Sequence, residues 1–136
     1  MDGNGIPVGL AIDGANRPDQ KLVRETLESI PVPRPEPTAE APQNLCLDNG
    51  YNYAEPKEIV AEFGFTAHLP PSPGEAQQVK RRAGHKARRW VVERTHSWMN
   101  RFRGILIRWC KKPENYIAML HFAFAIITYR CAGLFG

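Results

Sequence analysis

Leu22, Val23, Thr26, Leu27 and Ile30 recur at three- and four-residue intervals, the spacing of one helical face, and Pro18 suits the first turn of that helix. Leu45-Cys46-Leu47 is a short apolar run closed by Asp48-Asn49-Gly50, which predicts a buried strand ending in a sharp turn. Pro56 and Gly64 bracket a short helix with Ile59, Val60 and Phe63 on one side, and Phe65 to Leu69 returns as a second strand. From about Arg88 to Ile107, Val91, Thr95, Trp98, Phe102 and Ile105 form the apolar stripe of an amphipathic helix, bent or ended at Gly104. Tyr116 to Cys131 is apolar nearly all round. Interrupted by His121, Thr128 and Arg130, it is too short for a comfortable membrane span and reads as a buried helix.

The breaks between these elements carry information too. Pro31 to Asn44 holds five prolines and almost no apolar residues, so residues 31–44 are expected to form a slack Pro-rich loop. Pro70-Pro71-Ser72-Pro73-Gly74 interrupts the chain again before a basic block. At the start, Asp2-Gly3-Asn4-Gly5 supplies the residue types of a tight hairpin turn, with Ile6 to Ile12 as the strand beyond it. A hairpin needs two strands, and only Met1 precedes this turn. The strand beside Ile6 to Ile12 is therefore expected to be missing from this chain, as in a fragment of a longer protein or a fold whose missing strand comes from elsewhere.

Charge sharpens the picture. The 136 residues carry a net +4, yet Lys80 to Lys112 holds twelve of the eighteen Lys and Arg and a single acid, Glu93. That segment is +11 and the remainder −7, a separation that fits a surface meeting polyphosphate or, more blandly, a solvated basic helix face. The opening residues show no secretory or transit pattern, which predicts a cytoplasmic protein. Cys46, Cys110 and Cys131 are odd in number and lack Cys-x-x-Cys spacing, which argues for reduced, mostly buried thiols over disulfides or zinc. The four histidines form no metal-ligand spacing, and His121 is expected to be a hydrogen-bonded core residue.

Two acids are the candidates for chemistry. Lys86, Arg89, Glu93 and Asn100 fall on one polar helix face, where Glu93 either neutralises Arg89 and Arg94 or helps bind a divalent metal at a phosphodiester. Asp48, at a strand end, is either a turn residue or a second oxygen ligand. Sites for phosphoryl transfer hold two metals about 3.5 to 4 Å apart, and two carboxylates are a meagre set for them. A third acid would be expected near the start of the sheet. Trp90 and Trp98 could stack on unpaired bases or serve as core, the latter fitting the stripe position of Trp98.

The stretches Leu45-Cys-Leu-Asp-Asn-Gly-Tyr51 and Arg88-Arg-Trp-Val-Val-Glu-Arg-Thr-His-Ser-Trp-Met-Asn-Arg-Phe-Arg103 closely resemble DDE transposases of bacterial insertion sequences, the IS four and five groups. Gly14-Ala-Asn-Arg-Pro-Asp19 and Glu114-Asn-Tyr116 with its apolar helix extend the resemblance over nearly the whole chain. The resemblance implies an α/β, ribonuclease-H-like fold with C-terminal helices. Residues 1–136 would be the C-terminal portion of the catalytic domain, with its first strands missing. It implies metal-dependent DNA strand cleavage and transfer at insertion-sequence ends, with Asp48 as the second Asp and Glu93 as the Glu of a three-acid set binding Mg2+ or Mn2+. The family signature Tyr-x2-Arg-x3-Glu-x6-Lys is met by Arg89 and Glu93, with Lys86 in place of Tyr and Asn100 in place of Lys. Lys86, Arg88, Arg89, Arg94, Asn100 and Arg101 would then contact DNA. The family's first Asp lies upstream of the hairpin, and neither Asp2 nor Asp13, both read as turn residues, fills its place. On this reading the chain is a truncated, inactive form. The alternative is a non-catalytic DNA-binding remnant or an inhibitory partner of a full-length transposase subunit.

Overall fold

A computed structural model describes residues 1–70 and 89–133, and the chain divides into two compact units, one of Gly9–Lys86 and one of Met1–Val8 with Ala87–Gly136.

In the first unit Pro18 leads into a 3-10 turn, Asp19–Leu22, that continues as helix α1, Val23–Glu28. Strand β1, Gln43–Cys46, pairs in parallel with β2, Phe65–His68, in the register Gln43↔Phe65 to Cys46↔His68, and the Leu47 amide extends the ladder to the His68 carbonyl at 2.9 Å. A parallel pair needs a crossover, which helix α2, Ala54–Glu62, supplies. Pro56 is buried in the first turn of α2, where its missing N–H costs no hydrogen bond. Val60 is fully buried and, with Val23 and Leu27, forms the core against which Leu45, Leu47, Phe63 and Phe65 pack. Arg24 makes two bonds to the Glu62 carboxylate, at 2.8 and 2.6 Å, and Lys21 reaches Glu55 at 2.7 Å, so charged pairs join the 3-10 turn and α1 to α2 along their exposed sides.

Two expectations for this unit change. Strand β1 begins at Gln43, two residues earlier than the apolar run, because Gln43 and Asn44 meet the ladder through backbone groups that hydropathy does not register. The Pro-rich loop is held at Arg34, whose guanidinium lies 4.0 Å over the Phe65 ring and donates to the Gln43 side chain at 2.6 Å and the Phe63 carbonyl at 2.7 Å. Residues 31–42 carry no regular secondary structure, as the prolines require.

In the second unit Asp2 nucleates a turn: its Oδ1 accepts the Asn4 and Ile6 amides at 2.9 and 2.8 Å, and Gly5 takes a φ of 84°. Ile6 to Ile12 beyond it, expected as a strand, forms none. Pro7 has no N–H to give a ladder, and past Val8, in the unit Gly9–Lys86, the Leu10 amide is taken by the Ser29 hydroxyl at 2.7 Å. Helix α3, Arg89–Met99, buries Val91 and Thr95, and Trp98 is half-buried, so the predicted stripe faces inward. The helix stops at Met99, before Gly104. Phe102 adopts an extended backbone, φ −93° and ψ 100°, and a second short helix, α4, runs from Arg103 to Leu106 with Ile105 buried. Gly104 serves packing, since a Cβ there would lie 2.0 Å from the Met119 methyl of helix α5, Pro113–Cys131.

Among the described residues helix α5 buries Leu120, Ala123 and Ile127, one face at three- and four-residue spacing against α3 and α4. The reading of a helix buried all round is therefore corrected, because these two short helices cover one side. His121 is exposed and is not a core residue, and Phe122 is 68% exposed. Cys46 and Cys131 are exposed and Cys110 half-buried, which corrects the expectation of mostly buried thiols. Among the described residues no helix is long and apolar enough to cross a membrane. The architecture is mixed α and β, with a small parallel sheet and C-terminal helices.

Candidate functional site

Asp48 lies one residue past Leu47, where the chain leaves the sheet. It caps the 3-10 turn Asn49–Tyr51: Oδ1 accepts the Gly50 amide at 2.8 Å, while the carboxylate remains exposed. Glycine fits at position 50 because a Cβ would lie 3.0 Å from that same Oδ1. The second oxygen makes no hydrogen bond among the described residues. Burial pushes the nearby Tyr51 phenol above its ordinary range, and the negative charges of Asp19 and Asp48 push it the same way. Two carboxylates thus bear on one phenol. Asp19 also lines, with Leu45, Leu47 and Tyr51, a cleft of about 290 Å³ against α1. Sequence spacing did not single out Asp19 as an acid near Asp48, since the two are separated by the loop and β1.

Glu93 sits mid-way along α3 and is exposed. Among the described residues it forms no ion pair. The neutralising partner expected in Arg94 is turned elsewhere: its guanidinium lies 4.5 Å from the Trp90 ring and 5.6 Å from the Trp98 ring and donates to the Asn4 carbonyl at 3.3 Å. Trp90 and Trp98 stand four residues before and after Arg94, so one helical turn on either side places an indole beside it. Arg94 keeps an exposed surface while helping hold the N-terminal turn to α3.

Asn100 and Arg101 are exposed just beyond the end of α3. Lys86 and Arg88 lie outside the described residues, and for Arg89 only the backbone at the start of α3 is described. The two acids assigned to turns are engaged there. Asp2 caps its own loop, and Asp13 accepts the Gly14 amide at 2.7 Å and the Arg17 guanidinium at 2.5 Å, which holds its carboxyl below the ordinary range. Asp48 belongs to the unit Gly9–Lys86 and Glu93 to the other. Among the described residues no group of three or more His, Cys, Asp or Glu is arranged to hold a metal.

Residues 45–130 match the family described as Transposase DDE domain, a span that includes Asp48, Glu93 and all the basic candidates from Lys86 to Arg101. A protein from Burkholderia cepacia described as the transposase for insertion sequence element IS402 is 28% identical over 134 residues, covering 94% of this chain. The chain spans 59% of that relative's length. No solved structure matches. With more than half of its length inside the match, this chain belongs to the DDE transposase family.

Proposed function

We propose that this chain serves DNA transposition, with Asp48 and Glu93 as two carboxylate ligands for Mg2+ or Mn2+ in DNA strand cleavage and transfer at insertion-sequence ends. The observation that carries the reading is the family match over residues 45–130, which spans both acids. The chemistry of the donors fits: exposed carboxylates are hard oxygen ligands of the kind such ions take. A bound ion would supply Lewis acidity, lowering the pKa of an attacking water and offsetting charge on the phosphate. The Gly50 amide fixes one oxygen of Asp48 and orients the other outward. Glu93 would supply the second carboxylate from the exposed side of α3. Lys86, Arg88, Arg89, Arg94, Asn100 and Arg101 hold the DNA backbone, with Arg94 presenting its charge from between two indoles. A ribonuclease-H-like sheet would place the acids on one scaffold. Two carboxylates leave coordination to water, so the 136-residue polypeptide alone is expected to bind DNA without cutting it.

The test joins the chain to the segment that bears the family's first aspartate and measures nicking of an insertion-sequence-end duplex in Mg2+ or Mn2+. Nicking should appear in the joined protein and vanish in Asp48→Asn and Glu93→Gln, with DNA binding retained. Asp48→Asn keeps the Gly50 cap, because an amide oxygen caps about as well as a carboxylate, so lost activity would not reflect lost structure. Nicking that survives both substitutions overturns the ligand assignment. Binding without nicking in the joined protein would favour a non-catalytic role as an inhibitory partner of a full-length transposase.

A further inference from the structure

The segment between α4 and α5 presents an indole outward. Trp109 is 79% exposed, and Leu106 and Ile107 beside it are 58% and 55% exposed. Its immediate neighbours are held. The Arg108 guanidinium lies 5.4 Å over the Tyr116 ring and its Nε donates to the Cys110 carbonyl at 3.2 Å, the Cys110 thiol rests 3.5 Å from the Met119 sulfur, and the Tyr116 hydroxyl reaches the Ile105 carbonyl at 3.4 Å. Residues 108 and 110 are therefore tied down while the side chain between them stands in solvent. Single exposed apolar residues are ordinary, but three large ones in four positions on an anchored turn are not.

Charge selects the occupant. From Arg101 to Lys112 the chain carries five cations, Arg101, Arg103, Arg108, Lys111 and Lys112, and no acid. All five are exposed. An apolar face inside such a run would repel a basic protein partner, whereas a nucleotide combines a flat base with an anionic phosphate. We propose that Trp109 is a stacking platform for an unpaired DNA base, with Arg108, Lys111 and Lys112 taking the adjoining phosphates. The inference rests on the DNA reading above and adds a contact for single-stranded DNA outside the residues assigned to it. Base–aromatic stacking tolerates any sequence, because every base offers a flat face, so the platform serves an opened or frayed strand whatever its bases.

The test measures the affinity of the full chain for a fluorescent oligothymidylate and for a duplex of equal length. Trp109→Ala should weaken oligothymidylate binding by about 5- to 100-fold and duplex binding by less than about twofold, while Trp109→Phe should recover most of the loss. Because Trp109 is largely in solvent, Trp109→Ala should melt as the native chain does, and a circular dichroism melt verifies it. Equal loss on both probes, or no loss on oligothymidylate, overturns the platform while leaving the duplex reading intact. An oligomer that falls to monomer in Trp109→Ala, with both affinities unchanged, overturns it in favour of self-association. Failure of the native chain to bind either probe removes the DNA reading and this inference with it.

Discussion

Replacing Thr95 by valine tests whether one buried hydroxyl holds the N-terminal turn to α3. Thr95 is 3% exposed, and its Oγ1 donates to the Gly5 carbonyl at 2.5 Å, a bond that joins residues 90 apart in sequence. Gly5 is itself buried, and among the described residues no other donor reaches its carbonyl oxygen. Valine keeps the shape and the methyl of threonine but leaves that oxygen without a partner, and an unsatisfied buried acceptor costs about 1–3 kcal/mol. Serine keeps the hydroxyl and loses one methyl, about 0.8 kcal/mol. In urea unfolding followed by far-ultraviolet circular dichroism, Thr95→Val should lower the midpoint by about 0.5 to 1.5 M, for an m-value of about 2 kcal/mol/M. Thr95→Ser should fall less. A valine variant that unfolds at or above the native midpoint, or a serine variant that loses more than valine, would refute the assignment of this stability to the hydrogen bond.

Gly5→Ala should destabilise the same turn by about 1–2 kcal/mol, because an L side chain at a φ of 84° is strained and its Cβ would sit 3.1 Å from the Val91 carbonyl oxygen and 3.2 Å from the Thr95 hydroxyl. A thermal melt unchanged by the substitution would show that the turn relaxes freely. The Glu62 carboxyl is held below its ordinary value of 4.5 chiefly by its hydrogen bond to Arg24. A depressed carboxyl contributes stability that is present above pH 4.5 and lost as the pH falls through its lowered value. Glu62→Gln should therefore flatten the loss of stability with acid in that window, more so at low salt because the pair is exposed. Acid titrations that superimpose for the two proteins would contradict this.

Legibility followed the range of the forces involved. The helices at Val23, Ala54 and Arg89 were visible because their burial repeats every three or four residues, and β1 and β2 because short apolar runs sit between turn formers. Failures fell where partners far along the chain decide. Ile6 to Ile12 has a strand's composition, but Pro7 and the Ser29 hydroxyl divert the backbone groups that pairing would need. α5 looks like a core helix by hydropathy, yet two short helices cover only one of its faces. α3 ends at Met99 because Phe102 turns extended ahead of the buried Ile105, which no local breaker announces. At the candidate site, motif and charge context single out Asp48 and Glu93 as candidates, and the structure shows both exposed. The orientation of Arg94 was missed, although Trp90 and Trp98 stand four residues to either side of it while Glu93, its immediate neighbour, does not face it on a helix. The exposure of Trp109 was not legible, because the stretch Ile105 to Trp109 reads equally as helix or strand and nothing local says which of its sides is covered.

The bond between Thr95 and Gly5 also orders events on the ribosome. Residues Met1–Val8 are made some ninety residues before the helix they dock against is complete. At about 5–20 residues per second the N-terminal turn waits roughly 5–18 s before its partner exists. Gly9–Lys86 is contiguous and can close on itself during that interval. The turn from Asp2 to Gly5 is thus made before Gly9–Lys86 and secured after that unit has had time to close.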